Sequence, residues 1–339
     1  MVIARAEPSG ERAKLGEARP QGLGGRKNNV ARVLADPAAR VRSFDEARDL
    51  CLALTRAEGE NFTVVSWLAP RAMREHLAVV YAFCRTVDNL GDEEWVLGKQ
   101  AGRTSVSAAA ERVALLDAFE AELDLAYAGT PRHPLFVALR PTVERFRLPR
   151  EPFARLIEAN RMDQRTKRQA TFADLLDYCE HSATPVGRLV LGLYERGGPE
   201  ECALSDATCI GLQLANFWQD VKRDHAMGRV YLPQDEMADY GVRDEDLAAS
   251  TASKPLRRLL RFQVERARDH FARGLPLLER VSGRLRVDLA LFSRGGLAIL
   301  DKIERQDYDT LSRRPTVGKV EKAGILLSTL VSRRWDRWI

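Results

Sequence analysis

The sequence predicts an all-α protein, on three observations. Apolar residues recur at three- and four-residue intervals over most of the chain, the spacing that lines one face of a helix. Proline and glycine breakers fall between these apolar runs. No alternating apolar and polar run bounded by hairpin turns is found, so strands are not expected.

Residues 1–42 are rich in Gly, Arg, Ala and Pro, include QGLGGRKNN and keep no lasting apolar period, so a flexible tail is expected there. Glu7, Glu11 and Glu17 argue against a transit peptide, a segment type poor in acids. From Ser43 onward the helical period sets in. One run is Val113, Leu116, Phe119, Leu123 and Ala126; another is Leu256, Leu259, Leu260, Val264, Ala267 and Phe271. Breakers stand at Pro70, 129–134, Pro149, 197–199, Pro233 and Pro315. The expected architecture is one helical domain over 43–339: a bundle over about 44–310 and a last helix over about 316–336. Its connections are mostly short enough for neighbouring helices to run antiparallel.

Composition narrows the function. Hydrophobic residues make up 45% of the 339, enough for a sizeable core. Lys+Arg number 53 against 48 Asp+Glu, a net charge of +5. That mild excess suits acidic substrates or an anionic membrane surface and does not point to nucleic acid. Cys51, Cys84, Cys179, Cys202 and Cys209 form no CxxC pair, which reads as free thiols in a reducing compartment. No stretch approaches the ~20 apolar residues of a membrane span, and no apolar signal core opens the chain. Cytoplasmic residence is expected.

Two segments carry chemistry. In HLAVVYAFCRTVDNLGDEEW, residues 76–95, Asp88 and Asp92 are four apart and project from one side of a helix, together with Tyr81 and Arg85. Two carboxylates one turn apart repel unless a cation shares them. In GLQLANFWQDVKRDHAMGRVYLP, residues 211–233, Gln213, Asn216, Asp220 and Asp224 fall at i, i+3, i+7 and i+11, again one stripe. All four offer oxygen, which suits Mg²⁺ and not zinc. Leu212, Ala215 and Val221 lie elsewhere around the helix and can pack. Mg²⁺ is usually bound by a few carboxylates plus substrate phosphates. Two such helices facing each other would hold magnesium and a diphosphate, with Arg85 and Arg229 neutralising phosphate charge. A single Asp pair at this spacing is usually a solvated helix face; two pairs, one inside an amide–carboxylate stripe, are hard to account for that way.

These motifs resemble the squalene/phytoene synthase family of head-to-head prenyl synthases. YAFCRTVDNLGDE is similar to the family's first aspartate motif, and QLANFWQDVKRDHAMGRVYLP to its second. YCEHSATPVGRLVL at 178–191 is similar to the family's helix break, and MDQRTKRQATFADLLDYC at 162–179 also fits. The likeness runs from about 45 to 315. It implies an isoprenoid-synthase-type helical bundle around a central apolar cavity. It also implies a magnesium–diphosphate site served by Asp88, Asp92, Asn216, Asp220 and Asp224, with Mn²⁺ as a substitute metal. Gln213, Arg85 and Arg229 would assist, and Tyr81 would line the pocket.

Three departures stand out. Many members have Arg where this chain has Gln219; the paired aspartates of the first motif become Asp88-Asn89; the small helix break becomes SATPVG. With ENFTVVSWLAPR at 60–71, these resemble the hydroxysqualene synthase branch of bacterial hopanoid pathways. That branch is a lyase converting presqualene diphosphate and water to hydroxysqualene and diphosphate. Under this assignment Gln219 supplies an amide to orient water, and Asn61, His181 and Ser182 could do likewise; His181 serves equally well as a satisfied helix histidine.

Tyr308, in KIERQDYDTLSRRP, resembles a late-helix Tyr that closes over the diphosphate, with Lys302, Arg305 and Arg313 beside it; surface basic residues at a helix end explain it equally well. VEKAGILLSTLVSRRWDRWI combines an apolar stripe with Trp335 and Trp338. It reads as a packed terminal helix first, and second as a peripheral contact at the inner membrane face. Two rival functions stay open: a condensing transferase joining two farnesyl or geranylgeranyl diphosphates, and an inactive assembly protein on the same fold. No dinucleotide-binding glycine motif is present, so NADPH is not expected.

Overall fold

The computed structural model describes residues 24–58, 71–97 and 104–331. They form helices with no strand among them; one isolated bridge, Arg168 with Val230, is the sole β-type pairing they hold. The chain divides into two compact units, one up to Gln164 and one from Arg165 onward.

The first unit contains α1 (Gly24–Ala35), α2 (Phe44–Glu58), α3 (Arg71–Asp92), α4 (Ser105–Tyr127), α5 (Pro134–Phe146) and α6 (Glu151–Arg165, its last residue already in the second unit). α1 differs from the tail expected over 1–42. Ala31, Leu34 and Ala35 are buried, and α1 packs on α2 and α3. Three buried side chains suffice once a groove receives them, but they are too few to give a lasting period. α4 starts where Thr104 and Ser107 form a capping box. α5 starts at His133, whose ring nitrogen accepts from Leu135, with Pro134 in the first turn. Behind α3, Phe83 meets Phe153, Phe119 and Phe136 at ring separations of 4.9, 5.8 and 6.1 Å. This aromatic knot fixes α3 against α4, α5 and α6.

The second unit contains α7 (Phe172–Ser182), α8 (Thr184–Leu193), α9 (Pro199–Ala226), α10 (Gln234–Tyr240), α11 (Asp244–Ala248), α12 (Lys254–Gly274), α13 (Leu277–Arg280), α14 (Gly283–Arg305) and α15 (Lys319–Val331). α9, the longest, packs against α7, α8, α11, α12, α13 and α14. The run from Leu256 to Phe271 is buried on α12, as its spacing predicts. The break within 178–191 lies at Ala183, which ends α7 and precedes Pro185 in the first turn of α8. α15 lies within the helix expected over 316–336. No described helix is long and apolar enough to cross a membrane.

Candidate active site

In the first unit, α3 carries Tyr81, Arg85, Asp88 and Asp92. Tyr81 is buried; the other three are partly exposed. Asp92 is the last residue of α3, where backbone carbonyls lack helical partners. Arg112 of α4 supplies them: its guanidinium donates to the carbonyls of Leu90 (3.0 Å), Glu93 (3.1 Å) and Asp92 (3.3 Å). Its charge also suits a helix C-terminus. Gly91 lets α6 approach this end, since a Cβ there would sit 2.0 Å from the Asn160 side-chain oxygen. Gln164 donates to the Gly91 carbonyl at 3.1 Å. Arg112, Asn160 and Gln164 escaped the sequence reading, because nothing local ties them to the aspartates.

Asn89 points elsewhere. It is 1% exposed, and both its amide atoms are buried without a protein partner. About 100° round the helix from Asp88, it enters the interior. A carboxylate there would bury a charge at several kcal/mol, roughly, so the departure from paired aspartates has a local physical reason.

In the second unit, α9 carries Gln213, Asn216, Asp220 and Asp224. Gln213, Asp220 and Asp224 are buried and Asn216 is partly exposed. Ala215 and Val221 are buried in the packing, as expected. α9 ends in a Schellman turn: Arg229 N–H donates to the Asp224 carbonyl, Gly228 N–H to that of His225, and Gly228 takes φ +75°. The turn brings Arg229 back beside Asp224, and both line one cavity of about 10 Å³ with Trp218 and Tyr231. Tyr231 stacks on Phe217 at 3.9 Å, holding the following segment to α9.

The chain between α14 and α15 is strapped onto this helix. Arg314 makes a two-pronged contact with Asp220, Nε to Oδ1 at 2.5 Å and Nη2 to Oδ2 at 3.0 Å. Lys222 donates to the Leu311 carbonyl at 2.9 Å, and Gln219 to that of Pro315 at 2.5 Å. Asp309 anchors the strap by accepting from Ala252 and Ser312 and pairing with Arg257. Burial pushes the Asp309 carboxyl up, but those hydrogen bonds and Arg257 outweigh it and hold it below the ordinary range.

Three expectations meet particular contacts here. Gln219 lies about 100° round the helix from Asp220 and donates one amide N–H to the Pro315 carbonyl, which leaves its second N–H and its amide oxygen for another partner. Tyr308 lies among the charges of Glu304, Arg261, Glu265 and Arg268, and Arg314 is what reaches Asp220. Left-handed φ at Asp307 (51°) and Tyr308 (59°) turns the chain there. Lys302 pairs with Glu321 and Arg305 with Asp301. His181 Nδ1 bonds the Asp177 carbonyl of its own helix at 2.9 Å, the satisfied-histidine alternative. Ser182, beside it at the helix break, has a buried Oγ without a protein partner. Asn61 lies outside the described residues, as do Trp335 and Trp338.

Among the described residues, no three of His, Cys, Asp and Glu converge as a metal centre. The fit to a hard cation rests on the donors: oxygen throughout, and in Asp220 a buried carboxylate already matched by a guanidinium. The cysteines are free thiols; burial pushes Cys51 and Cys84 up to about 12, leaving neither a nucleophile.

The sequence pattern of the squalene/phytoene synthase family matches residues 55–321. The chain is 32% identical over 299 residues to 15-cis-phytoene synthase of Synechococcus elongatus, covering 84% of this chain and 92% of that protein. The crystal structure of squalene synthase HpnC from Alicyclobacillus acidocaldarius superposes with a TM-score of 0.71 at 44% identity, over 82% of this chain and 98% of that one. A dehydrosqualene synthase shares the fold, with a TM-score of 0.74 at 23% identity, over 85% of this chain and 96% of that one.

Proposed function

The chain belongs to the squalene/phytoene synthase family, enzymes that process prenyl diphosphates, and we propose that it is a hydroxysqualene synthase. The reaction is presqualene diphosphate plus water giving hydroxysqualene and diphosphate, a step toward squalene and hopanoids. The carbon–oxygen bond to diphosphate breaks, the cyclopropane opens, and water forms the new carbon–oxygen bond and loses a proton.

In this reading Asp88, Asp92, Asn216, Asp220 and Asp224 hold Mg²⁺, or Mn²⁺ in its place. Held there, the metal would supply the Lewis-acid charge that makes diphosphate a better leaving group. Arg85, Arg229 and Gln213 neutralise and orient the phosphates, and Arg314 joins them when it leaves Asp220. Buried Tyr81 lines the prenyl pocket, whose apolar wall keeps the cation from early quenching. Gln219 supplies an amide to position the attacking water, a task that the His181 and Ser182 side chains could share. NADPH has no part in the step.

The observation that carries the metal–diphosphate site is the buried oxygen stripe of α9, with Asp220 neutralised by a guanidinium. The water-capture reading rests on the departures at Gln219, Asn89 and SATPVG; the 44% identity to squalene synthase HpnC and the 32% to the cyanobacterial phytoene synthase support the coarser family activity. That second similarity favours the alternative, condensation of two prenyl diphosphates. Incubation with Mg²⁺ and farnesyl, geranylgeranyl or presqualene diphosphate, with products identified by mass, decides. Turnover of presqualene diphosphate alone supports hydroxysqualene synthase; phytoene or presqualene diphosphate as a product selects the transferase. No turnover of any of the three selects the inactive assembly protein.

A further inference from the structure

A cleft of about 390 Å³ opens in the first unit, where the stretch leading into α2 meets the start of α5. Its lining combines Arg40, Arg42 and Arg132 with Phe44, Pro131 and Val137. No lining residue lies on α3 or α9, so the cleft is separate from the aspartate segments. Its size is that of a pocket for a small ligand, and such pockets join apolar surface to a few polar groups.

The charges in this cleft are unbalanced. Among the described residues, Glu122 of α4, 5% exposed, is the carboxylate that its arginines contact. Glu122 Oε2 accepts the backbone N–H groups of Arg132 (3.3 Å) and His133 (3.1 Å). Its Oε1 lies 3.5 Å from the Arg40 guanidinium and 3.8 Å from that of Arg132. Three guanidiniums against one carboxylate leave two positive charges in excess. Asp45 and Glu46, in the first turn of α2, do not line the cleft. Asp45 pairs with Arg48 at 2.9 Å, and Glu46 accepts the Arg42 backbone N–H at 3.0 Å. Arg40 is held in place, since its Nη1 donates to the carbonyls of Pro37 (3.0 Å) and Ala39 (2.7 Å).

Like charges gathered in one cleft repel, which favours an anion among them. Guanidiniums match phosphate oxygens with two-pronged hydrogen bonds. A phosphate ester carries a charge of about −1.5 to −2 at neutral pH, close to the excess here. Phe44, 42% exposed, leaves apolar surface open for the rest of the ligand.

We propose that this cleft binds a small phosphate ester, with the phosphoryl group among Arg40, Arg42 and Arg132 and an apolar substituent against Phe44, Pro131 and Val137. Neither part alone accounts for the lining. Inorganic phosphate leaves the apolar residues without contact, and an uncharged apolar molecule leaves the guanidiniums unmatched. The site needs no metal and no prenyl chain, so it stands or falls apart from the proposed function.

Isothermal titration calorimetry of the full chain tests it, with phenyl phosphate, inorganic phosphate and phenol as probes. EDTA is present, so that no divalent cation bridges phosphate to the aspartates. The wild type binds phenyl phosphate several-fold more tightly than inorganic phosphate and does not bind phenol. Arg42→Gln combined with Arg132→Gln, which leaves Arg40 on Glu122, weakens both phosphates about tenfold or more, with thermal unfolding unchanged. Arg42→Gln alone, at an exposed residue, keeps the test decisive if the double variant unfolds early. Phe44→Ser brings phenyl phosphate down to the affinity of inorganic phosphate and leaves the latter unaltered. A wild type that binds neither phosphate, or binds the two equally, overturns the proposal. So do arginine variants that bind both phosphates as the wild type does, because the phosphates then sit elsewhere.

Discussion

Replacing Arg314 by glutamine isolates the contact that best defines the second half of the site. The guanidinium grips Asp220 with both prongs, at 2.5 and 3.0 Å, and Asp220 is 8% exposed. A hydrogen bond to a charged group contributes about 1.5–3 kcal/mol net, and stripping a buried ion of its partner costs about 3–5 kcal/mol. The shorter amide of Arg314→Gln can keep one neutral hydrogen bond, so the metal-free variant should lose about 2–3 kcal/mol of stability. If a divalent cation and Arg314 compete for the same carboxylate, that free energy returns when metal binds. At 1.4 kcal/mol per factor of ten, Mn²⁺ should then bind the variant roughly 30- to 140-fold more tightly. Free Mn²⁺ read by electron paramagnetic resonance, with no prenyl substrate present, gives the affinity, and thermal unfolding without metal gives the stability. Arg314→Lys, which keeps the charge and loses the fork, should fall between. Mn²⁺ affinity that is unchanged or weaker in Arg314→Gln refutes the competition.

The other predictions probe separate parts of the molecule. Gly91→Ala drives a Cβ against Asn160, so the urea midpoint should fall by the equivalent of about 1–3 kcal/mol, with activity lost as Asp92 shifts. Asp220→Asn should lower turnover about a hundredfold or more at saturating Mg²⁺; full activity would remove Asp220 from the site. Burial first, then Arg273 and Arg266, lowers His270 to about 4. A histidine with a depressed folded value stabilises above its unfolded value near 6.5 and loses that contribution as pH falls toward 4, about 3 kcal/mol in all. Denaturant midpoints from pH 7 to pH 4 should therefore fall less steeply in His270→Gln. Asp288 works in the opposite sense: burial, outweighing Arg284, raises it to about 6. Its contribution is most favourable in acid and declines as pH rises from 4 to 6, so Asp288→Asn should steepen the acid-side loss of stability.

The local features of the sequence carried far into the structure. Helix periodicity, the breakers at 129–134 and 197–199, and the break at Ala183 are one-dimensional signals, and each has its counterpart in an observed element. The oxygen stripe on α9 was equally legible, because four side chains on one helix need no tertiary contact to align. What stayed hidden depends on distant residues. Arg314 reaches Asp220 across 94 positions, and Arg112 caps α3 from 20 positions beyond Asp92. The Gln219 contact is hidden for the same reason: its partner, the Pro315 carbonyl, lies 96 positions further along the chain. Asn89 is the converse case, a departure from the family pattern at a side chain that the fold buries.

The central claim is that this chain ionises presqualene diphosphate and captures the cation with water. Turnover of presqualene diphosphate with Mg²⁺ in ¹⁸O-enriched water, with the product analysed by mass, tests it most directly. The account predicts hydroxysqualene carrying ¹⁸O at its hydroxyl, with diphosphate released in equal amount. A product without ¹⁸O, or presqualene diphosphate recovered intact while two farnesyl diphosphates are joined, would contradict it.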